Sequence, residues 1–71
     1  MPVSLPTEKV LSTLMDEILE SPFGKQFTDE NAGELAREIY EEYTEDQYFS
    51  DETLENISET CYGLAVEKLN N

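Results

Sequence analysis

The sequence predicts an all-α protein, a compact three-helix bundle with room for a short extra helical turn at 44–49. Three stretches repeat apolar residues at intervals of three and four, which is the spacing of one helix face. Turn and capping residues separate these stretches, and no stretch alternates apolar and polar residues as a strand would. With 71 residues, the chain has room for one small core. We therefore expect a single acidic helical domain over residues 1–71.

The first predicted helix covers residues 7–20. Pro6 or Thr7 lies at its start, where either residue type is tolerated, and the pair Ser21-Pro22 ends it. Its apolar stripe is broad, so one face of this helix is expected to be buried. The stripe comprises Val10, Leu11, Leu14, Met15, Ile18 and Leu19.

The second predicted helix follows the connection SPFGKQF, in which we expect Phe23 and Phe27 to close the end of the bundle. Thr28 is a good N-cap, and the acidic residues after it suit the positive end of the helix dipole. The helix either ends near Tyr43 or continues unevenly toward Tyr48, since a Thr-x-x-Gln spacing at 44–47 is suited to capping an extra turn. Its apolar stripe comprises Ala32, Leu35, Ala36, Ile39, Tyr40 and Tyr43.

The third predicted helix has the clearest start signal. Ser50 is the expected N-cap, and Phe49 before it can pack on Leu54 as a hydrophobic staple. Gly63 interrupts this helix at a cost of roughly 1 kcal/mol relative to alanine. The glycine either permits a close helix crossing or is simply tolerated. The buried stripe comprises Leu54, Ile57, Cys61, Leu64, Ala65 and Leu69.

The charge balance is the most unusual property of the composition. The chain has 4 Lys and Arg against 17 Asp and Glu, a net charge of −13, and no His. High net charge with low hydrophobicity is also typical of disorder, but the periodic apolar residues favour a folded chain. The same charge disfavours direct binding to nucleic acid or to an anionic membrane. Because no signal peptide or membrane-spanning run is present, we expect a cytoplasmic protein.

The residues needed for catalysis are mostly missing. The chain has no His, and Cys61 lies on an apolar stripe, where a cysteine usually packs as a small hydrophobe. No familiar nucleophile–base pair can therefore form. No glycine-rich phosphate loop occurs, and we expect neither enzymatic activity nor a cofactor. A calcium loop starting at Asp29 would place Asn31 correctly, but Gly33 comes one position early and Tyr40 stands where Glu belongs. We therefore expect no specific metal site.

The most prominent candidate surface is an acidic ridge along one side of the second predicted helix. With a rise of 1.5 Å per residue, the ridge is about 22 Å long and carries a carboxylate every 5 Å or so. It comprises Glu30, Glu34, Glu38, Glu41 and Glu45, and Glu42 and Asp46 flank it. A second acidic band at the start of the third helix comprises Asp51, Glu52, Glu55 and Glu59. These residues form either a solvated face or a surface for a basic partner.

The excess of one sign of charge favours the partner hypothesis, since ordinary surfaces mix both charges. Duplex DNA presents one negative charge per roughly 1.7 Å of axis, and neighbouring acidic helices can imitate part of that field. In size, acidity and helicity the chain is similar to DNA-mimic inhibitors as a class, including anti-defence proteins of phages. No motif aligns it with a named family. The similarity implies a basic partner, such as a nucleic-acid-binding protein.

The aromatic residues suggest where such a partner makes contact. Tyr43, Tyr48 and Phe49, framed by Glu42, Glu45 and Asp46, form the expected contact patch, because aromatic side chains anchor interfaces that charges steer. Core packing is the alternative role for each aromatic. A different class of function, a structural or assembly subunit or a homodimer held by apolar and tyrosine contacts, also fits this composition.

Overall fold

Three α-helices make up most of the protein, and the computed structural model describes residues 7–70. Helix α1 comprises Thr7–Glu20, α2 comprises Ala32–Thr44 and α3 comprises Asp51–Leu69. Helices α2 and α3 share the most extensive contact, and α1 packs on both of them. No strand occurs within the described residues. The predicted three-helix bundle is confirmed.

The core forms where the apolar stripes of the three helices meet. Leu11, Met15, Leu35, Ile39 and Cys61 are completely buried. Each helix thus contributes at least one fully buried side chain, as the periodicity predicts. The remaining buried core residues are Phe27, Ala32, Ala36, Ile57 and Ala65.

The edges of the stripes are less covered than their centres. Val10, which the sequence places on the stripe of α1, is 41% exposed, so its assignment to the buried face is wrong. Val66, which lies outside the predicted stripe of α3, packs against the core. Pairwise helix packing covers a stripe fully only where a neighbouring helix lies opposite, and this explains both differences.

The connection between α1 and α2 contains a 3-10 helix, Pro22–Gln26. Gly24 and Phe27 are buried, whereas Phe23 is 59% exposed. With three residues per turn, Gly24 and Phe27 share the face that meets α1 and the core, so Phe23 lies on another face. The expectation that Phe23 closes the end of the bundle is therefore wrong, and Phe27 alone has that role.

A short 3-10 turn, Asp29–Asn31, precedes α2. Thr28, predicted to cap the second helix, caps this turn instead, and Asn31 is the N-cap of α2. The Thr28 hydroxyl accepts a hydrogen bond from the Glu30 amide at 3.3 Å, and the Thr28 amide donates to the Asn31 side chain. This reciprocal arrangement satisfies donors that a helix start otherwise leaves unpaired. The α-helix itself consequently begins later than the sequence indicates.

The extra helical turn at 44–49 does not form. The Thr44 hydroxyl donates to the Tyr40 carbonyl at 2.8 Å, and the Gln47 side chain donates to the Tyr43 carbonyl at 3.2 Å. Both polar side chains thus bond to backbone carbonyl groups near the end of α2, and neither is left to cap a new helix. Residues 47–50 are extended or irregular.

Helix α3 begins as the sequence predicts. The Ser50 hydroxyl accepts a hydrogen bond from the Thr53 amide at 3.2 Å, and Phe49 lies partly buried against the core. The ring of Phe49 stacks on Tyr43 with centroids 5.9 Å apart. A Cβ atom at Gly63 would meet no atom within 4 Å. Gly63 therefore serves no close helix crossing, and tolerance is its better explanation.

Candidate functional site

The acidic residues form the largest charged surface of the described chain. All 17 are exposed. In α2 the core face holds Leu35 and Ile39, and the ridge carboxylates of this helix lie on the solvent side. The first and last ridge residues, Glu30 and Glu45, lie just outside α2, in the preceding 3-10 turn and in the turn that follows the helix. The helical periodicity of α2 produces this separation, because ridge and core residues occupy opposite sides of one helix. The predicted exposure of the acidic ridge is therefore confirmed.

Little positive charge offsets this surface. Arg37 lies 3.7 Å from Glu41 in an exposed i,i+4 pair, and Lys68 donates to Asp16 at 2.7 Å, between α3 and α1. Exposed pairs of the first kind contribute at most about 1 kcal/mol. Residues 28–59 contain 12 acidic side chains and one basic side chain. The acidic excess is thus concentrated on α2, the α2–α3 connection and the first half of α3.

The C-terminal half of the ridge forms a shallow depression at the surface. Four carboxylates and one threonine line it, so the structure brings together predicted site residues from the ridge and from its flank. Its lining residues are Glu38, Glu41, Glu42, Thr44 and Glu45. Closely grouped carboxylates accept hydrogen bonds from lysine or arginine side chains, and such charge-assisted bonds are stronger than neutral ones.

The contact patch expected around Tyr43 is only partly available. Tyr43 and Phe49 stack on each other and pack against the core, whereas Tyr48 is fully exposed at 104%. Core packing, the alternative role, therefore describes the first two aromatics. Tyr48 lies in the α2–α3 connection, between the exposed Asp46 and the exposed Asp51 in the first turn of α3. It is the aromatic of this patch that a partner can reach.

Phe23 lies beside the ridge, although the sequence predicts that it closes the end of the bundle. It is exposed, and it contacts the buried Phe27 edge-on with ring centroids 6.3 Å apart. A surface depression of about 330 Å³ joins these two rings to the ridge residues Glu34, Glu38 and Glu41.

A third depression lies on the other side of the ridge, between α2 and α3. Its volume is about 270 Å³ and its exposed lining is mostly apolar. Tyr62, which is 56% exposed, forms one wall. We call this depression the α2–α3 groove, and its lining residues are Gly33, Ala36, Arg37, Tyr40, Ser58 and Tyr62.

Cys61 and the carboxylates form no reactive constellation within the described residues. The Cys61 side chain is completely buried, and burial raises the pKa of its thiol to about 11. Across residues 7–70, no cluster of three or more acidic or cysteine side chains is arranged to hold a metal ion. The described helices all fall short of the length or apolarity needed to cross a membrane.

No protein-family model, curated protein or solved structure matches this chain. The function is therefore inferred from the chemistry of the surface alone. That chemistry consists of carboxylates on a rigid helix, with exposed aromatic rings at Phe23, Tyr48 and Tyr62. Such a surface can bind cationic side chains and give apolar anchor points to a protein partner.

Proposed function

We propose that this protein is an inhibitor or regulator that occupies a basic, nucleic-acid-binding surface of a partner protein, in the manner of a DNA mimic. The observation that supports this proposal best is the acidic ridge. Its five carboxylates are exposed from the turn before α2 to the turn after it, and only Arg37 lies among them. An ordinary solvated face mixes charges of both signs, whereas this face carries five negative charges and one positive charge over about 22 Å.

The charge density of the ridge is comparable with that of a nucleic-acid strand. A carboxylate occurs about every 5 Å along α2, and a DNA strand carries one phosphate per 3.4 Å of axis. The second acidic band adds four carboxylates on α3. A basic cleft that attracts DNA would attract this surface through the same long-range field, so association would be fast and salt-sensitive.

The aromatic residues beside the acidic surface supply the anchor points that charge alone lacks. Phe23 adjoins Glu34 and Glu38 in one depression, and Tyr48 follows the acidic turn at 45–46. Exposed rings desolvate favourably at the centre of an interface, while surrounding carboxylates steer the encounter. We infer that Phe23 and Tyr48 anchor the complex beside the ridge.

A charge reversal on the ridge tests the proposed function. The triple variant Glu34→Lys, Glu38→Lys, Glu45→Lys leaves the Arg37–Glu41 ion pair intact. Lysine forms helices about as well as glutamate, so the fold is retained and circular dichroism can check it. A matched control reverses three exposed acids outside the ridge. These are Glu17, Glu20 and Glu67.

The partner is first captured from a lysate of the encoding organism, identified and purified separately. Its binding kinetics are then measured by surface plasmon resonance at two salt concentrations. Both variants change the net charge equally, so a difference between their association rates reports the position of the reversed charges. The ridge variant should lower the association rate at least about tenfold more than the control. Duplex DNA should compete with the wild-type protein. Equal rates for the wild type and the ridge variant would refute the proposal.

The exposed rings also favour the alternative of an assembly subunit held by apolar contact. In that case Phe23→Ala or Tyr48→Ala would abolish binding, the ridge variant would bind normally, and affinity would change little with salt. Tyr43 and Phe49 are poor probes for this comparison, because both pack against the core and their truncation would also destabilise the fold.

A further inference from the structure

The α2–α3 groove has features that the fold itself does not require. Gly33 forms part of its lining, although a Cβ atom there would come no closer than 4.0 Å to another residue, at Tyr62 Cε1. Glycine inside a helix costs roughly 1 kcal/mol relative to alanine. The small residues Gly33, Ala36 and Ser58 keep the groove open. Its volume of about 270 Å³ exceeds the ~150 Å³ that holds a benzene ring in a protein cavity.

Carboxylates border the groove on both helices. On α3, Glu55 and Glu59 lie three residues before the groove residues Ser58 and Tyr62, so they project on the same side of the helix. On the α2 side, Glu30 and Glu34 share a depression with Gly33 and Arg37. An apolar groove thus lies between two acidic rims. One cation, Arg37, lies in its wall and is paired with Glu41.

We propose that the α2–α3 groove receives a basic amphipathic helix of the partner protein, an inference that rests on the proposed function. One apolar side chain of that helix enters the groove beside Tyr62, and its lysine or arginine residues meet Glu30 and Glu34 on one rim and Glu55 and Glu59 on the other. This is helix-in-groove recognition with charge complementarity on both sides. The side chain of the partner helix that enters the groove is apolar and carries no charge, so Arg37 in the groove wall does not repel it.

This geometry specifies the class of partner more closely. The axes of packed helices lie about 8–10 Å apart, which is of the same order as the ~12 Å width of the DNA major groove. A helix that normally lies in the major groove, between two phosphate strands, would find carboxylates on both sides here. A second copy of the chain is a poor occupant, because its net charge of −13 opposes association with the same acidic rims.

A tryptophan-labelled peptide provides a direct probe, because the chain contains no Trp. The probe is an amidated basic amphipathic peptide of about 15 residues, long enough to form a marginally stable helix. It carries one Trp on its apolar face and lysines on both sides of that face. Binding in the groove should shift the Trp emission to shorter wavelength in a saturable way. A scrambled peptide of equal composition should bind at least about tenfold more weakly, since it keeps the charge and loses the apolar face.

Variants of the groove identify the binding site. Gly33→Leu fills the groove and Tyr62→Ala removes its wall; both positions are exposed, so the fold should survive. Each should weaken binding of the probe at least about tenfold. Two control variants should bind the probe normally. Gly33→Ala adds one methyl group in ordinary contact with Tyr62, and Tyr48→Ala changes an exposed ring outside the groove lining.

Two results would overturn the groove assignment. One is normal binding of the probe to both Gly33→Leu and Tyr62→Ala, which would show that the charges alone attract it. The other is a dimer of the wild-type chain, seen by sedimentation equilibrium and dissociated by Gly33→Leu. Failure of this inference is separable from failure of the proposed function. If the ridge variant loses the isolated partner while both groove variants retain it, the function stands and the groove assignment falls.

Discussion

Replacing Gly24 with alanine tests how closely the 3-10 helix Pro22–Gln26 packs on α1. An added Cβ atom would lie 2.5 Å from Leu19 Cα and 2.8 Å from the Leu19 carbonyl carbon, and would also overlap the Ile18 carbonyl oxygen. Carbon atoms pack best at about 3.5–4.0 Å. These atoms belong to the backbone, and no change of rotamer can move them aside. The 3-10 helix would have to shift away from α1.

The backbone at the end of α1 is unable to yield easily. The Ile18 carbonyl accepts hydrogen bonds from both the amide and the hydroxyl of Ser21, at 3.1 and 2.6 Å. Overpacking of this kind typically costs 1–3 kcal/mol. A domain of this size has a total stability of about 4–10 kcal/mol. Gly24→Ala should therefore remove a large share of it and lower the melting temperature by about 4–8 °C per kcal/mol.

The other two glycines provide matched controls. Neither Gly33 nor Gly63 would bring a Cβ atom closer than 4.0 Å to another residue, so alanine should stabilise each helix by about 0.5–1 kcal/mol. Urea denaturation followed by circular dichroism measures all three variants. A Gly24→Ala variant as stable as the wild type would refute the close packing. Destabilisation by Gly63→Ala would refute the open surroundings assigned to that position.

Two further predictions concern charge and burial. Raising NaCl from about 10 to 500 mM should raise the melting temperature by several degrees, because screening relieves like-charge pairs along the ridge that cost a few tenths of a kcal/mol each; a flat trend would mean that the ridge is already compensated. The Cys61 thiol, with its pKa raised by burial from 9.0 to about 11, should react with iodoacetamide at pH 8.5 at least about 100-fold more slowly in the folded protein than in urea. Because the folded pKa is the higher one, the stability that this thiol contributes is full below about pH 9 and declines as the pH rises toward 11. Equal labelling rates in buffer and in urea would contradict the buried position of this thiol.

The sequence determined the helices and the polarity of their faces. Apolar residues recur with the helical period, so the buried positions of α2 at Leu35 and Ile39 and the exposed positions at Glu34 and Glu38 follow from one repeating pattern. The cap at Ser50 could be predicted for a similar reason, since its hydrogen bond joins residues only three apart in the chain. Most features that depend on near neighbours in the chain were predictable, and the extra turn at 44–49, which does not form, is the exception.

The tertiary structure alone decided which residues at the edges of these faces are covered. Phe23 and Phe27 have the same side chain in one short segment, yet only Phe27 meets the core. Tyr43 and Phe49 cover each other, whereas Tyr48 between them in sequence is fully exposed. The α2–α3 groove likewise joins residues that lie far apart in the chain. Periodicity describes one helix at a time, but burial at its edges and the shape of a groove depend on how a second helix packs against it.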